Sequence, residues 1–91
     1  MKERTKVCGI DVHKEFLQVC ILSRSGEYSQ YRFHHTLDGI LALKDLVLTE
    51  GCEVVALEST GIYWYRLYLE LELDIQVIVA NARQIKSIPG R

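Results

Sequence analysis

Three short runs at the start of the chain have the residue pattern of strands, two of them apolar and the third alternating in part between aromatic and polar residues. Connections too short to contain a helix separate them, and this spacing limits the fold more than any other feature. The runs cover residues 5–12, 16–22 and 28–35, and polar or glycine-containing segments join them at 13–15 and 23–27. Connections of this length join antiparallel strands. The sequence therefore predicts an antiparallel three-stranded meander at the start of the chain.

The spacing of the apolar residues changes after residue 35. A helix is predicted to begin after Thr36, which is a suitable N-cap, and to end before Gly51, which is a suitable C-cap residue. Its apolar stripe is predicted to contain Leu37, Ile40, Leu41, Leu43 and Leu48.

The remaining segments alternate between strand and helix. A short apolar strand is predicted over 53–58, and a helix from Ser59 or Thr60 to about Leu71. Trp64, Leu67, Tyr68 and Leu71 form the apolar face of that helix, whereas Tyr63 and Tyr65 fall on other faces. A fifth strand is predicted over 75–79 and a further helical turn over 81–88.

The resulting order is β-β-β-α-β-α-β, which is the order of the α/β ribonuclease H-like (RuvC-like) fold. In that fold the first strand lies at the centre of a mixed sheet, and the fourth strand pairs with it in parallel because a helix crosses between them. ATPase domains of the sugar-kinase and actin type share the order, so function has to be argued from the site. We expect the chain to stop before the later helices of the fold.

Composition excludes several other classes of protein. The 91 residues carry a formal charge of −1, which excludes an acidic tail and a chain that is as a whole a polybasic arm. Apolar runs are too short for a membrane helix. The three cysteines are odd in number and lack CxxC spacing, so we expect free, buried thiols in a reducing, cytoplasmic setting.

Two acidic residues close strands that are predicted to be parallel neighbours. Asp11 ends the first strand and Glu58 ends the fourth. Side by side, two carboxylates repel each other unless a cation neutralises them, and Mg²⁺ prefers oxygen ligands. Spacing alone leaves open whether the pair binds a metal or only ends two strands in solvent.

Three stretches resemble a known family in the same order along the chain. They are 9–14 (GIDVHK), 58–64 (ESTGIYW) and 81–91 (NARQIKSIPGR). Together they resemble the DEDD transposases with a RuvC-like N-terminal domain, of the insertion-sequence 110/116 type, which are bridge-RNA-guided recombinases. The second stretch is the most specific, since sugar kinases also open with Gly-Ile-Asp.

The resemblance implies mobilisation of an insertion element by Mg²⁺-dependent DNA strand cleavage and rejoining, with Mn²⁺ as an alternative ion. By position, Asp11 and Glu58 are the first two of four acidic metal ligands, and the family's other two lie beyond Arg91. A serine in a separate C-terminal domain and a guide RNA belong to the family's machinery. We therefore expect 1–91 to be the N-terminal part of the catalytic domain, to bind the ion weakly and to be inactive alone.

Basic side chains indicate where DNA or RNA would lie. His13 and Lys14 follow Asp11, and the end of the chain carries Arg83, Lys86 and Arg91 without an acidic residue. Contacts with a nucleic-acid backbone are one interpretation. A polar turn and a solvated helix end are the others.

The residues leave two other functions open. One is a non-catalytic ribonuclease H-like module that binds RNA or a protein partner. The other is a fragment of a sugar-kinase-type ATPase, but the segment 13–15 lacks the glycine that a phosphate loop after the first strand needs. Because the later helices of the fold are not expected, apolar sheet surface should be exposed, which predicts a homo-oligomer.

Overall fold

The three short runs at the start of the chain form the predicted antiparallel meander. The protein is described here by a computed structural model over residues 6–59 and 61–80. The strands are β1 (Lys6–Val12), β2 (Phe16–Ser23) and β3 (Tyr28–His34). β2 pairs antiparallel with both β1 and β3. The turn between β2 and β3 places Gly26 at a φ of 98°, which favours glycine.

The first helix, α1, covers Leu37–Thr49, close to its predicted bounds. The Thr36 hydroxyl accepts a hydrogen bond from the Gly39 N–H at 3.1 Å, so the predicted N-cap is confirmed. Gly51 follows the helix with a φ of 73° and turns the chain into the next strand.

The crossover strands give a mixed sheet with β1 at its centre. β4 (Cys52–Glu58) pairs in parallel with β1, and β5 (Gln76–Ala80) pairs in parallel with β4. The strand order β3-β2-β1-β4-β5 confirms the predicted ribonuclease H-like arrangement of these elements.

The second helix, α2, is shorter than predicted. It covers Tyr65–Leu71 and does not begin at Ser59 or Thr60. The Ser59 hydroxyl accepts a hydrogen bond from the Gly61 N–H at 3.3 Å, and such a local bond competes with helical backbone bonding. The expectation that a helix begins directly after Glu58 is therefore wrong.

The core lies on one face of the sheet, under both helices. Along β1, β2 and β4, alternate side chains point to this face and are buried. The buried apolar residues form one cluster, namely Cys8, Ile10, Val12, Leu17, Val19, Ile21, Ile40, Leu43, Val47, Cys52, Val55, Leu57, Leu67, Leu71 and Ile75. We call the other side of the sheet the open face, because no helix covers it within residues 6–59 and 61–80.

The stripe predicted for α1 is partly wrong. Ile40 and Leu43 are buried as expected, and Val47 joins them. Leu37, Leu41 and Leu48 are each about half exposed. Successive helical residues turn by about 100°, which places these three leucines on a neighbouring stripe that the sheet does not reach.

The aromatic residues of the second helical segment lie where the pattern predicted. Trp64 and Tyr68 pack against the core cluster, with their rings edge to face at 5.8 Å between centroids. Tyr63 and Tyr65 are exposed.

The three cysteines are free thiols, as predicted. Cys8 and Cys52 are buried beside each other under the helices, and burial raises the pKa of both thiols, that of Cys8 to about 12. Cys20 lies half-buried on the open face.

Candidate active site

The two predicted carboxylates lie side by side at one edge of the sheet. Asp11 and Glu58 are register partners in the parallel β1–β4 ladder, and adjacent strands lie about 4.8 Å apart. Their neighbours Ile10 and Leu57 are buried under the helices, so both carboxylates point to the open face. The fold therefore holds two acidic side chains together on rigid strands.

The carboxylate pair is accessible to solvent and to a substrate. The Asp11 side chain is 57% exposed, and Glu58 is exposed as well. In the part of the chain that the structure describes, no ion pair involves Glu58. The same part contains no group of three or more metal-ligating side chains. The site thus offers two carboxylates and space for further oxygen ligands.

His13 lies next to Asp11 in the turn between β1 and β2. Its Nε2 is 3.2 Å from Asp11 Oδ2, close enough for the imidazole N–H to donate to the carboxylate. The His13 ring stacks on the Phe16 ring, with centroids 4.3 Å apart. The backbone carbonyl of His13 accepts a hydrogen bond from His35 Nδ1 at 2.7 Å. His13 is therefore held in place against Asp11.

The other predicted nucleic-acid contacts divide into two groups. Lys14 is exposed in the same turn as His13. Arg83, Lys86 and Arg91 lie outside the described residues, as does the helical turn predicted over 81–88.

The register also brings residues to the site that the sequence analysis did not single out. Across four adjacent strands, Arg32 lies opposite Gln18, Gln18 opposite Asp11, and Asp11 opposite Glu58. We call these four residues the polar row. Gln18 and Arg32 could have been found from the alternation of side chains between the two faces of β2 and β3, once the short turns fixed the antiparallel register.

The remainder of the open face is less polar. A parallel row at the middle of the sheet contains Gln30, Cys20, Gly9, Ala56 and Ile78, in strand order. A further row contains Tyr28, Leu22, Val7 and Val54. The polar row therefore lies at one end of a largely apolar surface.

A mixed sheet of this order, with paired carboxylates at the carboxyl ends of two adjacent parallel strands, is the arrangement of a ribonuclease H-like domain. The profile of the IS110-type DEDD transposases, described as a transposase family, matches residues 8–91. The chain belongs to this transposase family. No curated protein matches the sequence.

Among the solved structures with similar folds are enzymes of other classes. An Aquifex aeolicus PPX-GPPA enzyme superposes with a TM-score of 0.57 at 17% identity, over 90% of this chain and 38% of that chain. A candidate N-acetylmannosamine kinase from Listeria monocytogenes gives a TM-score of 0.53 at 20% identity, over 85% of this chain and 35% of that one. The chain thus spans just over a third of their length. At these identities the likeness shows the fold alone.

The described residues contain no helix long and apolar enough to cross a membrane.

Proposed function

We propose that this domain carries part of the active site for Mg²⁺-dependent cleavage and rejoining of DNA strands in the transposition of an insertion element. The observation that supports the proposal is the register pairing of Asp11 with Glu58, on adjacent parallel strands and on the open face. Membership of the transposase family supplies the class of reaction.

The residues present suit a hard divalent cation. Carboxylate oxygens are its preferred ligands, and Mg²⁺ is commonly bound by one or two carboxylates together with water and substrate phosphates. Asp11 and Glu58 would be the protein ligands for Mg²⁺ or Mn²⁺. When bound, the cation would polarise a phosphodiester oxygen and stabilise the charge that develops there. With two ligands from the described residues, we propose that affinity is weak without a phosphate.

The neighbouring residues have separate roles in this proposal. His13 orients the Asp11 carboxylate through the 3.2 Å contact, and its own ring is fixed by stacking on Phe16. Lys14 is exposed beside it and would contact a DNA phosphate. Arg83, Lys86 and Arg91 are proposed as further nucleic-acid contacts.

Partners follow from the same proposal. DNA is the substrate, and a guide RNA is the second nucleic acid that the family resemblance implies. A homo-oligomer is supported by exposed apolar side chains, since Leu22 and Ile78 are about half exposed on the open face.

The test is strand cleavage of element-end DNA by the protein as its gene encodes it, with Mg²⁺ present. Glu58→Gln should abolish cleavage, because an amide cannot replace the anionic ligand. The matched control is Glu53→Gln, an exposed acidic residue at the other end of β4. Cleavage that survives Glu58→Gln would contradict the proposal and favour a non-catalytic nucleic-acid-binding module.

A further inference from the structure

Arg32 is the cationic member of the polar row. It lies on β3, opposite Gln18 on β2, which in turn lies opposite Asp11 on β1. With about 4.8 Å between adjacent strands, the Arg32 backbone is about 10 Å from that of Asp11. Arg32 is exposed on the same open face as the carboxylates. One side of the carboxylate pair is therefore flanked by a positive charge at a fixed distance.

Two neighbours hold the Arg32 guanidinium in one orientation. Its central carbon lies 4.1 Å from the centroid of the Phe16 ring, a cation–π contact. Its Nε–H donates to Gln18 Oε1 at 3.0 Å, and Gln18 Nε2 donates to the Tyr31 carbonyl at 3.2 Å. The Gln18 amide is thus fixed by the backbone, and it fixes the arginine in turn.

The fixed guanidinium keeps its outer donors available. Arginine has five N–H donors, and the Gln18 contact uses the one on Nε. Within residues 6–59 and 61–80, no carboxylate forms an ion pair with Arg32. The remaining donors lie on the terminal nitrogens, in the planar fork that matches a phosphate.

We propose that Arg32 binds a backbone phosphate of the DNA strand that occupies the carboxylate site. This inference rests on the proposed function and extends it to a substrate contact. A separation of about 10 Å is short enough for a single DNA strand to span within a few nucleotides. Arg32 therefore binds a phosphate within a few nucleotides of the one at Asp11 and Glu58, and sets the direction in which the strand crosses the sheet.

His13 and Arg32 share one support in this arrangement. Both pack on the Phe16 ring, His13 at 4.3 Å and Arg32 at 4.1 Å. Phe16 is thus a positioning residue that links the group beside Asp11 to the phosphate-binding group.

The test is a titration of the chain with a mixed-sequence single-stranded DNA oligonucleotide. Binding is monitored by NMR from the shift of the Arg32 Nε–H resonance. Arg32→Gln should raise Kd by roughly tenfold, as expected for loss of a charged hydrogen bond. It should also lower the slope of log K against log salt by about one. The matched control is Arg24→Gln, an exposed arginine in the turn at the opposite end of the sheet. It should leave Kd nearly unchanged.

Further variants separate binding from folding. Arg32→Lys keeps the charge but loses the planar fork, so it should bind with intermediate affinity and an unchanged salt slope. If Arg32 only stabilises the sheet, Arg32→Gln lowers the melting temperature but leaves the Kd of the folded chain unchanged, and the proposal is overturned. Equal losses in Arg32→Gln and Arg24→Gln, or an Arg32 resonance that DNA does not move, would overturn it too.

The outcome is distinguishable from failure of the proposed function. Line broadening by Mn²⁺ near Asp11 and Glu58 reports the carboxylate pair and should persist in Arg32→Gln. Loss of DNA affinity with that broadening retained supports the Arg32 contact. Absence of the broadening in the wild-type chain counts against the metal site, whatever Arg32 does.

Discussion

The packing of α1 against β3 predicts that Gly39→Ala destabilises the protein. Inside a helix, alanine is normally more stabilising than glycine by about 0.5–1 kcal/mol. A Cβ at Gly39, however, would clash with the backbone carbonyl oxygen of His34 and lie 2.9 Å from the carbonyl carbon. Backbone cannot move aside as a side-chain tip can, so α1 must shift away from β3. Overpacking of this kind costs about 1–3 kcal/mol, more than the helix propensity returns.

The measurement is thermal unfolding followed by circular dichroism. After the helix-propensity gain is subtracted, the net loss is about 0.5–2 kcal/mol. For a chain of this size, 1 kcal/mol corresponds to about 4–8 °C, so Gly39→Ala should lower Tm by roughly 2–16 °C. The matched control is Gly9→Ala, because a Cβ at Gly9 on the open face meets nothing within 4 Å. That variant should keep Tm or raise it slightly. A Gly39→Ala variant as stable as the wild type would refute the close approach of α1 to β3.

Three other outcomes follow from the packing of the sheet. Burial raises the pKa of the Cys8 thiol from 9.0 to about 12, so the unfolded chain loses this proton at a lower pH than the folded chain. The free energy of unfolding should therefore fall by about 1.4 kcal/mol per pH unit between about pH 9 and pH 12. Cys8→Ala should flatten this slope in urea unfolding, and an unchanged slope would show that Cys8 does not cause it. Iodoacetamide at pH 8 should modify Cys20 before Cys8, because the thiolate fraction of Cys8 is about a thousandfold lower than that of a thiol with the ordinary pKa. Mass spectrometry checks the order, and faster modification of Cys8 would show that it is not buried. Leu67→Ala removes a fully buried side chain and should cost about 2–5 kcal/mol, whereas Leu69→Ala, on the exposed side of α2, should change stability by less than about 0.5 kcal/mol.

The topology was predictable because the connections decide it. The turns at 13–15 and 24–27 are too short for anything but antiparallel pairing, and α1 forces β4 to return parallel to β1. The start of α2 was not predictable from its residue types. Ser59 is a good N-cap by type, but its hydroxyl bonds to Gly61 in a local turn. Propensity cannot decide between two hydrogen-bonding arrangements that the same side chain satisfies.

The sequence predicted only those site residues that lie at the ends of strands. Asp11 and Glu58 follow from the parallel pairing, because parallel strands bring their carboxyl ends to one edge. Arg32 does not, since its link to the site depends on the residue-by-residue register of β3 on β2 and on stacking against Phe16. Contacts of that kind are a property of the folded sheet, and a one-residue change of register would remove them.

The most direct measurement is Mn²⁺ titration of the chain, followed by paramagnetic broadening of its backbone amide resonances. If Asp11 and Glu58 form one cation site, the amides around both residues should broaden together and before those elsewhere in the chain as Mn²⁺ is added, and Glu58→Gln should abolish the broadening at both. Glu53→Gln, at the other end of β4, should leave the effect intact. Broadening that survives Glu58→Gln, or that appears equally around Glu53, would contradict a metal site at the carboxylate pair.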